Sequence, residues 1–172
     1  MNKKKIVILC EDLYEENELW YPYYRLLENG CEVTLVGTKK TEYIGKNGMP
    51  VKVGKLISEI KSEEIDGVII PGGYAPDRLR RFQEVNDLVK NLFESKKLVA
   101  SICHGPWVLV SARILAGRTV TCFSSIRDDV VNAGAVYVDE AVVEDGNLIT
   151  SRTPADLPVF LKSIIAFLEE DK

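Results

Sequence analysis

Runs of consecutive apolar residues alternate along this chain with stretches whose apolar side chains recur at helical spacing. The first run, Ile6-Val7-Ile8-Leu9-Cys10, has the continuous hydrophobicity of a strand covered on both faces. Leu19, Tyr23, Leu26 and Leu27 then recur every three or four positions and Asn29-Gly30 supplies a stop, which predicts a helix. Pro22 falls inside that pattern and predicts a late helix start or a kink. A second strand is expected over 32–36, and the glycine- and proline-punctuated stretch 41–54 reads as a small hairpin. Asp66 to Ile70 is the next strand and ends in Pro71-Gly72-Gly73. A helix over 84–95, a strand from Leu98 to Ile102, and a buried helix from Trp107 to Ala116 follow from the same patterns. The last third predicts a helix near 125–132, strands near 136–143 and 147–150, and a final helix. Thr153 is its expected N-cap, with Pro154 at the first helical position and Asp156 in the first turn.

Strands alternating with helices predict an α/β sandwich with a mainly parallel sheet, in which ligands sit at the carboxyl ends of strands. At 172 residues, 46% hydrophobic and 28% charged, the chain fits one domain over 1–172, with a core large enough to need no disulfide. A net charge of −4 and a pI of about 5.2, both signs scattered, argue against a nucleic-acid partner. Lys3-Lys4-Lys5 precedes too few apolar residues for a signal peptide. No apolar run approaches the roughly 18 residues needed to span a bilayer, so no membrane association and a cytoplasmic location are expected. Cys10, Cys31, Cys103 and Cys122 stand far apart and read as free thiols, Cys10 and Cys31 as small core residues. With His104 the sole histidine, no metal site is expected.

Two strand ends carry chemistry. Ala100-Ser101-Ile102-Cys103-His104-Gly105 reads as a strand that ends at a nucleophile, turns on glycine and enters a helix, the layout of a nucleophile elbow. The N-terminus of that helix is expected to lower the thiol pKa. Gly72-Gly73 lies at a neighbouring strand end, where its N–H groups, with that of His104, are placed to form an oxyanion hole. Glu11, Asp12, Glu15, Glu16 and Glu18 crowd the loop after the first strand. Most of them read as a solvated acidic turn, yet one held near the sulfur would have a raised pKa, stay protonated and donate to it. Chemistry alone does not choose among the five. His104 is the one imidazole available as acid or base, although neighbours at an elbow usually point apart. A glutamine amidotransferase on such a sheet would need His-x-Glu near the C-terminus, and Ser151-Arg152-Thr153-Pro154-Ala155-Asp156 has no histidine.

Several of these segments together resemble the PfpI family of intracellular cysteine peptidases, in the superfamily of the parkinsonism-associated deglycase. They are Glu15-Glu16-Asn17-Glu18-Leu19 with Tyr21-Pro22, Pro71-Gly72-Gly73, Ala100 to Pro106, Asp128-Asp129 with Asn132-Ala133-Gly134, and Ser151 to Leu157. The resemblance spans Lys5 to Leu168 and implies a flavodoxin-like three-layer sandwich with Cys103 as nucleophile. It further implies that Glu18 contacts the sulfur and that Glu15 lies at the pocket rim. In peptidase members a glutamate following an Ala-Pro pair on a neighbouring subunit orients the histidine. Here Ala75-Pro76 is followed by Asp77, one methylene shorter, so the implied triad is Cys103, His104 and Asp77 from another chain. Phe123-Ser124 stands where relatives often carry Tyr-Pro, leaving Phe123 at the rim without a phenolic hydroxyl. Trp107 reads as a core residue that could also narrow the pocket.

These features give a leading expectation and two alternatives. The leading one is a cysteine-dependent hydrolase of the peptidase type, with Cys103 attacking a carbonyl and His104 protonating the leaving group. The first alternative is cofactor-free glyoxalase or deglycase chemistry, in which the thiolate adds to a reactive aldehyde such as methylglyoxal. The other is an oxidation-sensing protective protein. Either enzymatic reading needs only a peptide or small aldehyde substrate and no cofactor. Asp77 and the aromatic run Trp20-Tyr21-Pro22-Tyr23-Tyr24 point to a homo-oligomer, a dimer or a hexamer built from dimers.

Overall fold

The computed structural model describes residues 3–170, so the first two and last two residues of the expected domain lie outside the described residues. Strand β1 (Lys5–Cys10) leads through helix α1 (Glu16–Glu28) to β2 (Glu32–Gly37). A hairpin of β3 (Glu42–Ile44) and β4 (Pro50–Lys52) follows, then β5 (Lys55–Leu56) and β6 (Gly67–Ile70). Next come α2 (Ala75–Leu79), α3 (Gln83–Glu94), β7 (Leu98–Ile102) and α4 (Pro106–Ser111). The last part holds β8 (Thr119–Val120), α5 (Arg127–Asn132), β9 (Val136–Tyr137), β10 (Val142–Asp145), β11 (Leu148–Ser151) and α6 (Leu157–Glu170).

Seven strands form the main sheet in the order β10-β11-β7-β6-β1-β2-β5. All its pairings are parallel except that of β10 with β11. Helices α1 and α6 pack together over one face, and α2, α3 and α4 form the opposite layer. This is the flavodoxin-like three-layer sandwich. Ile6 to Cys10, Val68 to Ile70 and Leu98 to Ile102 are all at most 1% exposed, which explains their unbroken hydrophobicity: neither face of a central strand meets water. Each fully buried aliphatic side chain there is worth roughly 1.5–3 kcal/mol. The chain leaves β1 toward β2 on one side and later adds β6 and β7 on the other. The crevice at that reversal opens at the carboxyl ends of β1, β6 and β7.

The elements depart from the sequence pattern where local conformation, not hydrophobicity, decides. Helix α1 neither starts late nor stops at Pro22, which is buried at its seventh residue; the Glu18 carbonyl therefore lacks its usual i+4 donor. Helix α4 ends at Ser111 rather than Ala116 because Arg113 adopts φ +59 and the Ile114 N–H turns back to the Leu109 carbonyl. The expected strand 136–143 is split into β9, which pairs with β8, and β10, which pairs with β11. Thr153 is extended but makes no capping bond. A 3₁₀ turn over Pro154–Asp156 precedes α6.

The Tyr43 hydroxyl ties the β3–β4 hairpin to the segment after β2. Tyr43 is fully buried, and its oxygen accepts the N–H groups of Thr38 (2.8 Å), Lys39 (3.0 Å) and Lys40 (2.9 Å). Gly37 permits this, since a Cβ there would sit 2.5 Å from the Tyr43 ring. Tyr43→Phe keeps the ring and strands three donors. It is expected to cost about 1–3 kcal/mol, read as a lower urea midpoint at unchanged m-value; an unchanged midpoint would refute the role of the hydroxyl.

Candidate active site

Cys103 directly follows β7 in a left-handed backbone conformation, φ +62, which costs a residue with a Cβ about 1–2 kcal/mol. Two hydrogen bonds hold it there: its N–H donates to the Ser151 carbonyl (3.1 Å) and its carbonyl accepts the Phe123 N–H (2.9 Å). Gly105 closes the turn, its N–H reaching the Ile102 carbonyl at 2.8 Å. A Cβ at Gly105 would collide with Ser101 Oγ and lie 2.6 Å from the Ile70 carbonyl, so only glycine lets strand and helix approach this closely. The elbow expected from the sequence is present.

Gly72 is the point of convergence. A Cβ on it would meet Glu18 Oε2 at 2.5 Å, Cys103 Cβ at 2.7 Å and the His104 nitrogen at 3.1 Å. Its N–H donates to Glu18 Oε2 at 2.7 Å and so is not free for an oxyanion, contrary to the expected role of Gly72. The N–H groups of Gly73 and His104 do face the sulfur. Glu18 is wholly buried on the first turn of α1. Burial pushes its carboxyl up to about 8, against the pull of the Gly72 N–H and helped by the charge of Glu15. Glu18 therefore holds a proton at neutral pH.

Burial also pushes the Cys103 thiol up to about 12, and a charged Glu18 adds to the effect; the Gly73 and His104 N–H groups oppose it. This reverses the expectation of a lowered thiol pKa. Helix α4 has six residues, and desolvation of a sulfur in a residue 8% exposed outweighs its dipole. With Glu18 protonated, its charge no longer opposes ionisation of the thiol.

His104 does not point away from its neighbour. Its Nδ1 lies 3.3 Å from Cys103 Sγ and its Nε2 3.1 Å from Ser125 Oγ. Phe123 stacks on the ring at 5.0 Å and Trp107 meets it edge-on at 5.2 Å. Trp107 is thus half-buried beside the imidazole rather than in the core, its Nε1 donating to Asp129 and Arg80 lying over its ring. Burial first, then the charge of Lys46, lowers the His104 pKa, so the ring is neutral at pH 7. Asp77 does not reach His104 within one chain: on α2 it pairs with Arg81.

The acidic loop is not a solvated turn. Glu11 is buried against the Thr38 hydroxyl, Asp12 binds Lys40 and the Ile44 N–H, and Glu16 accepts from Asn47. Glu15 is buried and paired with Lys46 at 2.5 Å. Lys46, from the turn of the β3–β4 hairpin, is the ammonium whose charge reaches Glu18, Cys103 and His104. Neither Lys46 nor Ser125 stands out in the sequence, since both arrive from loops remote from the elbow.

Residues 4–167 match the model of the DJ-1/PfpI family. The chain belongs to that family. A deglycase of Pyrococcus abyssi is 41% identical over 96% of this chain and 99% of its own length. A Bacillus subtilis relative with the provisional designation cysteine protease is 40% identical over 96% of this chain and 99% of its own. A two-domain Anabaena variabilis protein with DJ-1/ThiJ/PfpI-like and ferritin-like domains superposes with TM-score 0.95 and 43% identity. That match covers 97% of this chain and 48% of the larger one. DJ-1beta of Drosophila melanogaster superposes with TM-score 0.90 and 28% identity, over 95% of this chain and 89% of its own.

Glu18 supplies a pH test. Its folded pKa, about 8, is raised above the ordinary 4.5, so the stability it contributes is full below 4.5 and lost as pH rises through 8. Wild type is expected to lose a few kcal/mol across that window, with a limiting slope of about 1.4 kcal/mol per pH unit. Glu18→Gln should flatten the profile between those values, and an unchanged slope would refute a protonated Glu18.

Proposed function

We propose that this chain is a cysteine-dependent, cofactor-free enzyme of the PfpI type, a single domain acting on small reactive carbonyls such as methylglyoxal. The observation that carries this reading is the convergence on Cys103 of a protonated carboxyl and a neutral imidazole within one chain. The deglycase designation of close relatives supports it. In the proposed cycle the Cys103 proton passes to His104 Nδ1 and the sulfur adds to the aldehyde carbon. The carbonyl electron pair moves to oxygen, which the Gly73 and His104 N–H groups face and the Glu18 proton neutralises, giving a hemithioacetal. Glu18, now a carboxylate, moves the carbon-bound proton. Water then hydrolyses the resulting thioester, sulfur leaves as the thiol with the hydroxy acid released, and the proton held by His104 returns to Glu18, so the net reaction is addition of one water to methylglyoxal.

The second reading is peptide hydrolysis, supported by the protease designation of the Bacillus relative. It calls on Asp77 of a neighbouring subunit to orient His104, in a dimer or a hexamer of dimers. Asp77 is half-buried on α2, with its carboxylate already engaged by Arg81. A cytoplasmic site of action belongs to both readings. Among the described residues no helix is long and apolar enough to cross a membrane.

One set of variants separates the two. Cys103→Ser is expected to abolish methylglyoxal turnover, while Asp77→Ala leaves it intact and removes any peptide cleavage. Turnover of methylglyoxal by Cys103→Ser would sink the carbonyl reading, and its loss in Asp77→Ala would move that chemistry to the subunit interface.

A further inference from the structure

An imidazole that exchanges protons with a thiol needs its second nitrogen held, or the ring turns and the tautomers mix. In this chain the atom against Nε2 is a hydroxyl, Ser125 Oγ at 3.1 Å. Its placement follows from the elbow. The Phe123 N–H donates to the Cys103 carbonyl at 2.9 Å, which fixes where the Ser124–Ile126 3₁₀ turn begins, and Ser125 comes two residues later. Phe123 also stacks on the imidazole, so the same segment sets the plane of the ring and meets its far nitrogen.

We infer that Ser125 is a positioning residue for proton transfer: it orients His104 from within the chain, in the place that family resemblance assigns to a neighbour's Asp77. The inference rests on reading His104 as the proton carrier for Cys103. With Nε2–H donated to Ser125 Oγ, the lone pair of Nδ1 faces Sγ at 3.3 Å. The thiol S–H bond breaks, the proton bonds to Nδ1, and the pair left on sulfur is the nucleophile. The imidazolium keeps both N–H groups occupied, one toward sulfur and one toward Ser125, until Nδ1 gives the proton back as the thiol and Glu18 are restored. A hydroxyl is a neutral acceptor and holds an imidazolium less tightly than a carboxylate does. The arrangement therefore suits a proton that is borrowed and quickly returned rather than a standing ion pair. Asp77 is left to its helix partner Arg81, and the proton relay is complete in one subunit.

The test compares wild type with Ser125→Ala, Ser125→Thr, Ser124→Ala and His104→Gln, alone and combined, at pH 7. Two rates are read: alkylation of Cys103 by iodoacetamide and turnover of methylglyoxal. Ser125→Ala is expected to lower the alkylation rate and kcat by roughly five- to tenfold, the factor one neutral hydrogen bond is worth, with KM unchanged. Ser125→Thr should restore both, Ser124→Ala should match wild type, and Ser125→Ala should add nothing in the His104→Gln background. An alkylation rate equal to wild type in Ser125→Ala, or an equal loss with and without His104, would overturn the inference. Wild type that turns over no methylglyoxal refutes the carbonyl chemistry instead, and the alkylation rates still decide the role of Ser125.

Discussion

Cys103 sits at φ +62, a conformation that a residue with a side chain holds only under restraint. The restraint is a hydrogen bond on each side of the residue, to Ser151 at the end of β11 and from Phe123 in the loop after β8. Those two bonds turn the thiol out of the sheet edge, and they also set where every other group can stand. The Ser151 bond carries the elbow into register with the strand beyond β7. The Phe123 bond draws in the segment that packs on His104. Glycine at 72, 73 and 105 then gives room for backbone to close around the thiol.

The same crowding sets the electrostatics. Three titratable groups are neutral at the sulfur at pH 7: Glu18 holds its proton, Cys103 holds its own, and His104 is unprotonated. A charged pair remains nearby, Glu15 with Lys46. In the carbonyl chemistry proposed above, negative charge would develop as the bond to substrate forms, beside the N–H groups of Gly73 and His104 that face the sulfur. Donors already aimed at that position need no rearrangement at the moment of reaction.

The sheet was legible because its central strands are buried on both faces, and burial writes itself into composition as unbroken apolar runs. The elbow was legible for a related reason, since Cys103, His104 and Gly105 are contiguous and their order encodes strand, turn and helix. Residues joined across the fold were not. Nothing in Gly45-Lys46-Asn47-Gly48 says that the ammonium will reach a carboxylate thirty-one positions earlier, and Ser125 is one of several serines in polar surroundings. The early end of α4 was hidden as well, because its terminator is an arginine in a conformation usually left to glycine. The thiol pKa was misjudged because a dipole can be read from a motif, whereas desolvation depends on everything that packs over it.

The β3–β4 hairpin lies outside the main sheet, pairs only with itself, and is fastened by Tyr43 and by carboxylates of the loop after β1. It nevertheless delivers an ammonium whose charge reaches the thiol. The sheet with its elbow and the hairpin are thus separate pieces of the fold, and the hairpin supplies charge beside a thiol that the sheet holds. Exchanging the hairpin for another of equal span that keeps these ties would leave the elbow in place while changing the charge beside the thiol. Diversification in this architecture can therefore proceed at the hairpin while the elbow stays as it is.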